Sequence, residues 1–99
     1  MRQFDVCRLK ARSDQLVVIL QHDTLGGLDT RVVAPLSSIP YRRLMERVRI
    51  PAVLDDDEYV VQLDRMAAVS VREIGPVRGR LGDYEQTVKN GIDLLLFGV

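Results

Sequence analysis

Few side chains in this sequence have the types and spacing that chemistry requires. His22 is the only histidine, so no two-histidine metal site exists. It stands beside Asp23, as a general base beside an orienting carboxylate would. Sequence neighbours rarely meet in that geometry, and a catalytic base needs positioned partners. A loop histidine in water is the simpler reading. Ser37 and Ser38 lack the residues of a nucleophile elbow, and there is no P-loop or dinucleotide fingerprint. The single cysteine, Cys7, has neither a neighbouring base nor a helix start to activate it. A small apolar residue in a strand suits it better. Asp55, Asp56 and Asp57 are consecutive, so their carboxylates point in different directions, and no spaced calcium loop surrounds them. Aspartate's turn preference explains them instead. Arg42, Arg43, Arg47 and Arg49 form the only basic cluster, interrupted by Glu46 and poor in aromatic stacking partners. A solvated face is its expected role. An enzyme built on arginine and acidic residues alone stays open.

These residues must be carried by one small domain. The chain has 99 residues, 46% of them hydrophobic and 28% charged, which excludes wholesale disorder and allows one modest core. Zero formal net charge argues against a general nucleic-acid or membrane-surface binder. One cysteine forms no intrachain disulfide, and the first residues show no apolar signal segment, so a cytoplasmic location is expected. No apolar run approaches a membrane span.

Short apolar runs give the elements. Phe4, Val6 and Leu9 mark a first strand, residues 10–15 a hairpin turn, and residues 16–20 a β-branched run buried on both faces. Gly26-Gly27 with flanking aspartates makes residues 21–29 a loop. Residues 31–36 form the third strand, with Pro35 expected at an edge or strand end. Residues 40–48 suit a short helix or an irregular turn. Strands at 51–54 and 58–63 flank the acidic turn. Residues 67–74 alternate, with Val69, Val71 and Glu73 on one face, and Gly75-Pro76 ends that sixth strand. Residues 77–81 are a connector. A helix then starts at Asp83, with Gln86 three residues on as in a capping box. Tyr84, Val88, Gly91, Ile92 and Leu95 share its core face. Gly91 costs roughly 1 kcal/mol relative to alanine in a helix, so close packing there is expected. Six short strands before one helix predict a mainly antiparallel β-domain with limited exposed edges.

The end of that helix is unusual. Leu94, Leu95, Leu96 and Phe97 point to every side of it, since successive residues turn by roughly 100°. A helix apolar all round should be covered all round. Only Gly98 and Val99 follow, so a second copy, another protein or a frayed tip on its own domain accounts for it. The carboxylate of Val99 opposes the helix dipole and would welcome a cation.

Several ordered blocks resemble the CcdB toxins of bacterial toxin–antitoxin modules. Gln21-x-Asp23 followed by Arg31-Val32-Val33-Ala34-Pro35-Leu36 is similar to the family's loop and following strand. Met66-Ala67-Ala68-Val69-x-Val71 with Ile74-Gly75 resembles a later strand. Lys89-Asn90-Gly91-Ile92-Asp93-Leu94 and the final Gly98-Val99 resemble its last helix and terminus. The resemblance implies a mainly β (α+β) fold, a small SH3-like, partly open antiparallel β-barrel with a C-terminal α-helix, over residues 1–99 as a single domain. It implies a homodimer whose paired tips enter the A subunit of DNA gyrase and trap its cleaved-DNA state. It further implies neutralisation by a CcdA-like antitoxin and operator DNA contacted only through the antitoxin complex, with no cofactor, no metal and no membrane. No catalytic residue is implied. The gyrase-binding residues implied are Phe97, Gly98 and Val99, then Asp93 one turn earlier, and Thr24 and Leu25 on a neighbouring loop. The family has tryptophan where this chain has Phe97, which keeps a stacking face without the indole N–H. The related MazF and Kid toxins share this type of fold and cut RNA. For that alternative, a ribonuclease, the candidates are Arg31, His22 and the arginines at 42, 43, 47 and 49.

Overall fold

Period-two alternation builds a seven-stranded antiparallel sheet in the computed structural model, which describes residues 1–38 and 47–99. Its strands are β1 (Asp5–Leu9), β2 (Leu16–Ile19), β3 (Thr30–Ser37), β4 (Arg49–Leu54), β5 (Asp57–Gln62), β6 (Ala67–Ser70) and β7 (Ile74–Arg80). The order is β4-β5-β3-β2-β1-β7, with β6 paired to β3 beside that path. The helix α1 (Glu85–Phe97) follows. The region expected as a short helix or turn lies mainly at residues 39–46, outside the described residues, together with Arg42 and Arg43.

The central strands are buried on both faces, as the run at 16–20 predicts. Val6, Val18, Ala34 and Leu36 enter the main core, where Ile50, Val61, Leu63, Leu81 and Val88 join them. Cys7, Val17, Ile19, Val33 and Ile74 form a second, smaller cluster on the opposite face. Each fully buried aliphatic side chain stabilises the fold by roughly 1.5–3 kcal/mol. Cys7 is buried, and that burial, aided by the charge of Asp5, pushes its thiol pKa up, away from the reactive thiolate. Leu54 on β4 packs over Gly79 on β7, so the two ends of the sheet curl toward each other. The result is the partly open barrel expected.

The acidic stretch is a turn. Asp55 and Asp56 have φ values of 51° and 70° between the paired residues Leu54 and Asp57. That is a two-residue hairpin of the kind that matches strand twist, and aspartate tolerates it.

Three local expectations differ from what the chain does. First, residues 67–74 are not one strand. β6 stops at Ser70, whose hydroxyl accepts from the Arg72 N–H and caps a 3-10 turn at Val71–Glu73. Gly75-Pro76 then lies inside β7, and the supposed connector at 77–81 is largely that seventh strand, paired to β1. Proline is tolerated because β7 ends the strand order and its register with β1 is irregular. Second, Asp83 does not cap α1. Gly82–Tyr84 is a 3-10 turn, the residue before the helix is Tyr84, and no side chain caps it. The entry is held by tertiary contact instead, the Tyr84 hydroxyl accepting from the Val53 N–H at 2.9 Å. Gln86 bonds Asn90 within the helix. Third, Pro35 sits inside β3. There β3 changes neighbours, with β6 paired up to Val33 and β5 from Leu36. Proline's missing donor falls in that break.

Candidate functional site: the end of α1 and the loop beside it

α1 is laid on the barrel by its middle. It packs against β4 and the 3-10 turn Leu63–Arg65, with Val88 and Gly91 buried. A Cβ on Gly91 would stand 2.6 Å from both the Arg47 carbonyl oxygen and a Leu63 methyl. Only glycine allows that approach, which accounts for its presence in a helix. Tyr84, Ile92, Leu94 and Leu95 are partly buried against the same core. The turn under the helix is fixed by Arg49, whose guanidinium forks onto Asp64 at 2.9 and 3.3 Å. That hydrogen bond, the largest influence, holds the Asp64 pKa below the ordinary carboxylate range.

Beyond this seat the helix leaves the surface. Leu96 is 57% exposed, Phe97 73% and Val99 81%. Gly98 ends the helix at φ 74°, its N–H donating to the Leu94 carbonyl at 2.9 Å. This left-handed stop, easy for glycine, turns the chain out of the last helical turn with its hydrogen bonding intact. In the single chain the end is an exposed apolar knob.

The predicted loop residues lie in the segment between β2 and β3. Asp23–Leu25 is a 3-10 turn. His22 caps it, Nδ1 accepting from the Thr24 N–H at 3.1 Å and lying 2.9 Å from the Thr24 hydroxyl. Asp23 accepts from the Gln3 N–H at 2.7 Å, tying the turn to the segment before β1. Leu25 is 51% exposed. His22 and Asp93 line one groove of about 250 Å3 between this segment and α1, with Phe4, Leu20, Val88 and Ile92 among its apolar walls. The structure thus brings Asp93 to the His22 side of the loop, while Leu25 and Phe97 lie outside the groove lining.

Sequence reasoning missed the brace that shapes this loop. Gln21 donates to the Leu25 and Thr30 carbonyls and accepts from the Val32 N–H. The Arg31 guanidinium donates to the carbonyls of Leu28, Thr30 and Gly26. Arg31, a ribonuclease candidate from sequence, therefore places three guanidinium hydrogen bonds on its own loop. Bonds from side chains to backbone carbonyls leave no residue pattern to find. The pairing of an isolated Gln and Arg at the two strand ends flanking a Gly-Gly loop is the only signal available.

The model of the CcdB protein family matches residues 3–98. The chain belongs to the CcdB family. No curated protein matches this CcdB-family chain significantly. Solved structures share its fold at low identity. One is the Mycobacterium tuberculosis toxin MazF-mt6, 22% identical over 93% of each chain, with a TM-score of 0.73. Another is an endoribonuclease from a mycobacterial species, 13% identical over 97% of this chain and 90% of that one, TM-score 0.80. A third is a mycobacterial endoribonuclease in complex with its cognate antitoxin, 12% identical over 97% and 94%, TM-score 0.78. The CcdB-family chain therefore has the barrel common to these toxins. Among its described residues no cluster of metal-ligating side chains occurs, and no helix is long and apolar enough to cross a membrane.

Proposed function

We propose that this chain is the toxin of a type II toxin–antitoxin module that acts as a homodimer, binds the A subunit of DNA gyrase and traps the enzyme on cleaved DNA. A CcdA-like antitoxin neutralises it. The exposed apolar end of α1 carries this reading. Burying Phe97 and its neighbours in a partner removes them from water, and aromatic anchors dominate interface energy. Phe97, Gly98 and Val99 make the insertion, Asp93 adds a polar contact one turn earlier, and Thr24 and Leu25 extend the surface. No proton transfer is asked of any residue. Purified protein should produce gyrase-dependent DNA cleavage and sediment as a dimer at micromolar concentration. A clean monomer, or intact DNA in the presence of gyrase, overturns the proposal.

One observation favours a second reading, an endoribonuclease. A groove of about 380 Å3 on the smaller cluster's face has Arg12 and Arg65 beside Gln15 and Gln62, with Val17 and Val33 below. Arginines suit phosphate. Among the described residues no histidine or carboxylate lines the groove to move a proton, so binding is better supported there than cleavage. RNA degradation by the parent, lost in Arg65→Ala and without trapped gyrase, would establish this reading over the first.

A further inference from the structure

Leu25 and Leu28, each 51% exposed, stand three residues apart on the segment joining β2 to β3. A loop containing Gly26-Gly27 loses roughly 1–2 kcal/mol per residue of backbone freedom when a partner orders it. This loop is ordered beforehand from both sides. The amide of Gln21 and the guanidinium of Arg31 together hold the carbonyls of Leu25, Gly26, Leu28 and Thr30. His22 holds the Thr24 amide at the loop's near end. The guanidinium matters by shape as well as charge. Two nitrogens of one rigid plane reach carbonyls on different parts of the loop, which a single ammonium cannot do.

We infer that Gln21 and Arg31 are positioning residues for binding, and that Leu28 joins Leu25 as an apolar contact on the protein that takes the helical end. This deepens the gyrase proposal and rests on it. The occupant is the same A subunit, because His22 at the start of this segment and Asp93 on α1 line one groove, which sets the loop beside the helix that carries the exposed end. Gln21 and Arg31 themselves touch no partner. Ordering the loop before encounter lowers the cost of association, and such gains are read mostly in dissociation.

The test uses immobilised gyrase A subunit and the full chain as parent, Arg31→Lys, Gln21→Met, Leu28→Ala and the double variant Leu28→Ala/Arg31→Lys. Amide exchange at residues 25–28 and thermal melting are followed in parallel. Arg31→Lys and Gln21→Met should dissociate about tenfold faster with association unchanged, and their loop amides should exchange faster. Leu28→Ala should dissociate faster with its loop amides still protected. The double variant should be little worse than Leu28→Ala alone, because the brace acts through the leucine. If Arg31→Lys melts early, Gln21→Met and Leu28→Ala decide. Brace variants, Arg31→Lys and Gln21→Met, that dissociate like the parent despite faster loop exchange overturn the inference and leave the gyrase proposal standing. A parent that does not hold gyrase at all overturns that proposal, and the binding role of the brace with it.

Discussion

Val88 and Gly91 in the middle of α1 are buried, while Leu96 and Phe97, within about two turns, stand in water. Both regions are apolar and belong to one continuous helix. The middle is specified by what it must fit: a glycine where a methyl group would strike the Arg47 backbone and Leu63, beside valine and isoleucine facing the core. The end is specified by what it keeps uncovered, closed by a left-handed glycine at which an added side chain would meet nothing within 4 Å. Apolar residues thus do two jobs in one element. Packing constraint, rather than hydrophobicity, separates the buried half from the exposed half.

The largest effect should come from removing the end. Deleting Phe97-Gly98-Val99 should weaken gyrase binding by 100-fold or more, about 3 kcal/mol, as loss of an aromatic hot spot does. Stability should change by less than about 0.5 kcal/mol, since exposed residues make few internal contacts. A gyrase pull-down and a melting curve measure both, and equal losses in the two would erase the distinction between halves. Gly91→Ala should reverse the pattern. Forcing a methyl into that contact should cost about 2–3 kcal/mol in denaturant unfolding, with gyrase affinity per folded molecule unchanged. Gly98→Ala sits between them. A side chain at φ 74° strains the stop by about 1 kcal/mol, read as faster exchange of the Gly98 amide and a modest loss of binding.

The smallest effect concerns the seat. Asp64 has a lowered folded-state pKa, chiefly through the Arg49 hydrogen bond. Its contribution is therefore fully present above the unfolded carboxylate value of about 3.9 and lost as pH falls through the lower folded value. Both side chains are partly exposed, so less than about 1 kcal/mol is involved. Asp64→Asn should flatten stability against pH below about 4, and leave the exposed end of α1 untouched. An unchanged acid limb would show that the turn holds α1 without this pair.

The same contrast explains what could be read from the residues alone. Strands with clean alternation, such as β4, were legible, as was the Asp55-Asp56 turn. The apolar-all-round helix end was legible because it breaks a rule that buried helices obey. β7 was hidden by Gly75-Pro76, which punctuate most chains but here sit on an end strand whose register absorbs them. The break after Ser70 was hidden because Val71 and Glu73 continue the alternation of β6 through a 3-10 turn. The entry to α1 looked like a capping box, yet a tyrosine hydroxyl thirty-one positions from Val53 holds it. The loop brace was least legible, because its acceptors are carbonyls that every residue carries.

One pairing also governs when the molecule can exist. Asp5 lies opposite Arg80 and Val6 opposite Gly79, and the buried Asp5 carboxylate meets Arg80 at 3.0 Å. A ribosome delivers β1 early and its second neighbour only after nearly the whole barrel has been made. The meander of β1, β2 and β3 can assemble first, but with the far edge of β1 bare and Asp5 without its arginine. Such distant pairing is slow to find and leaves an adhesive edge while it waits. The barrel is therefore incomplete through most of its synthesis and closes in one late step. On the proposed function, activity in a growing cell depends on the speed of that closure as well as on the exposed end of α1.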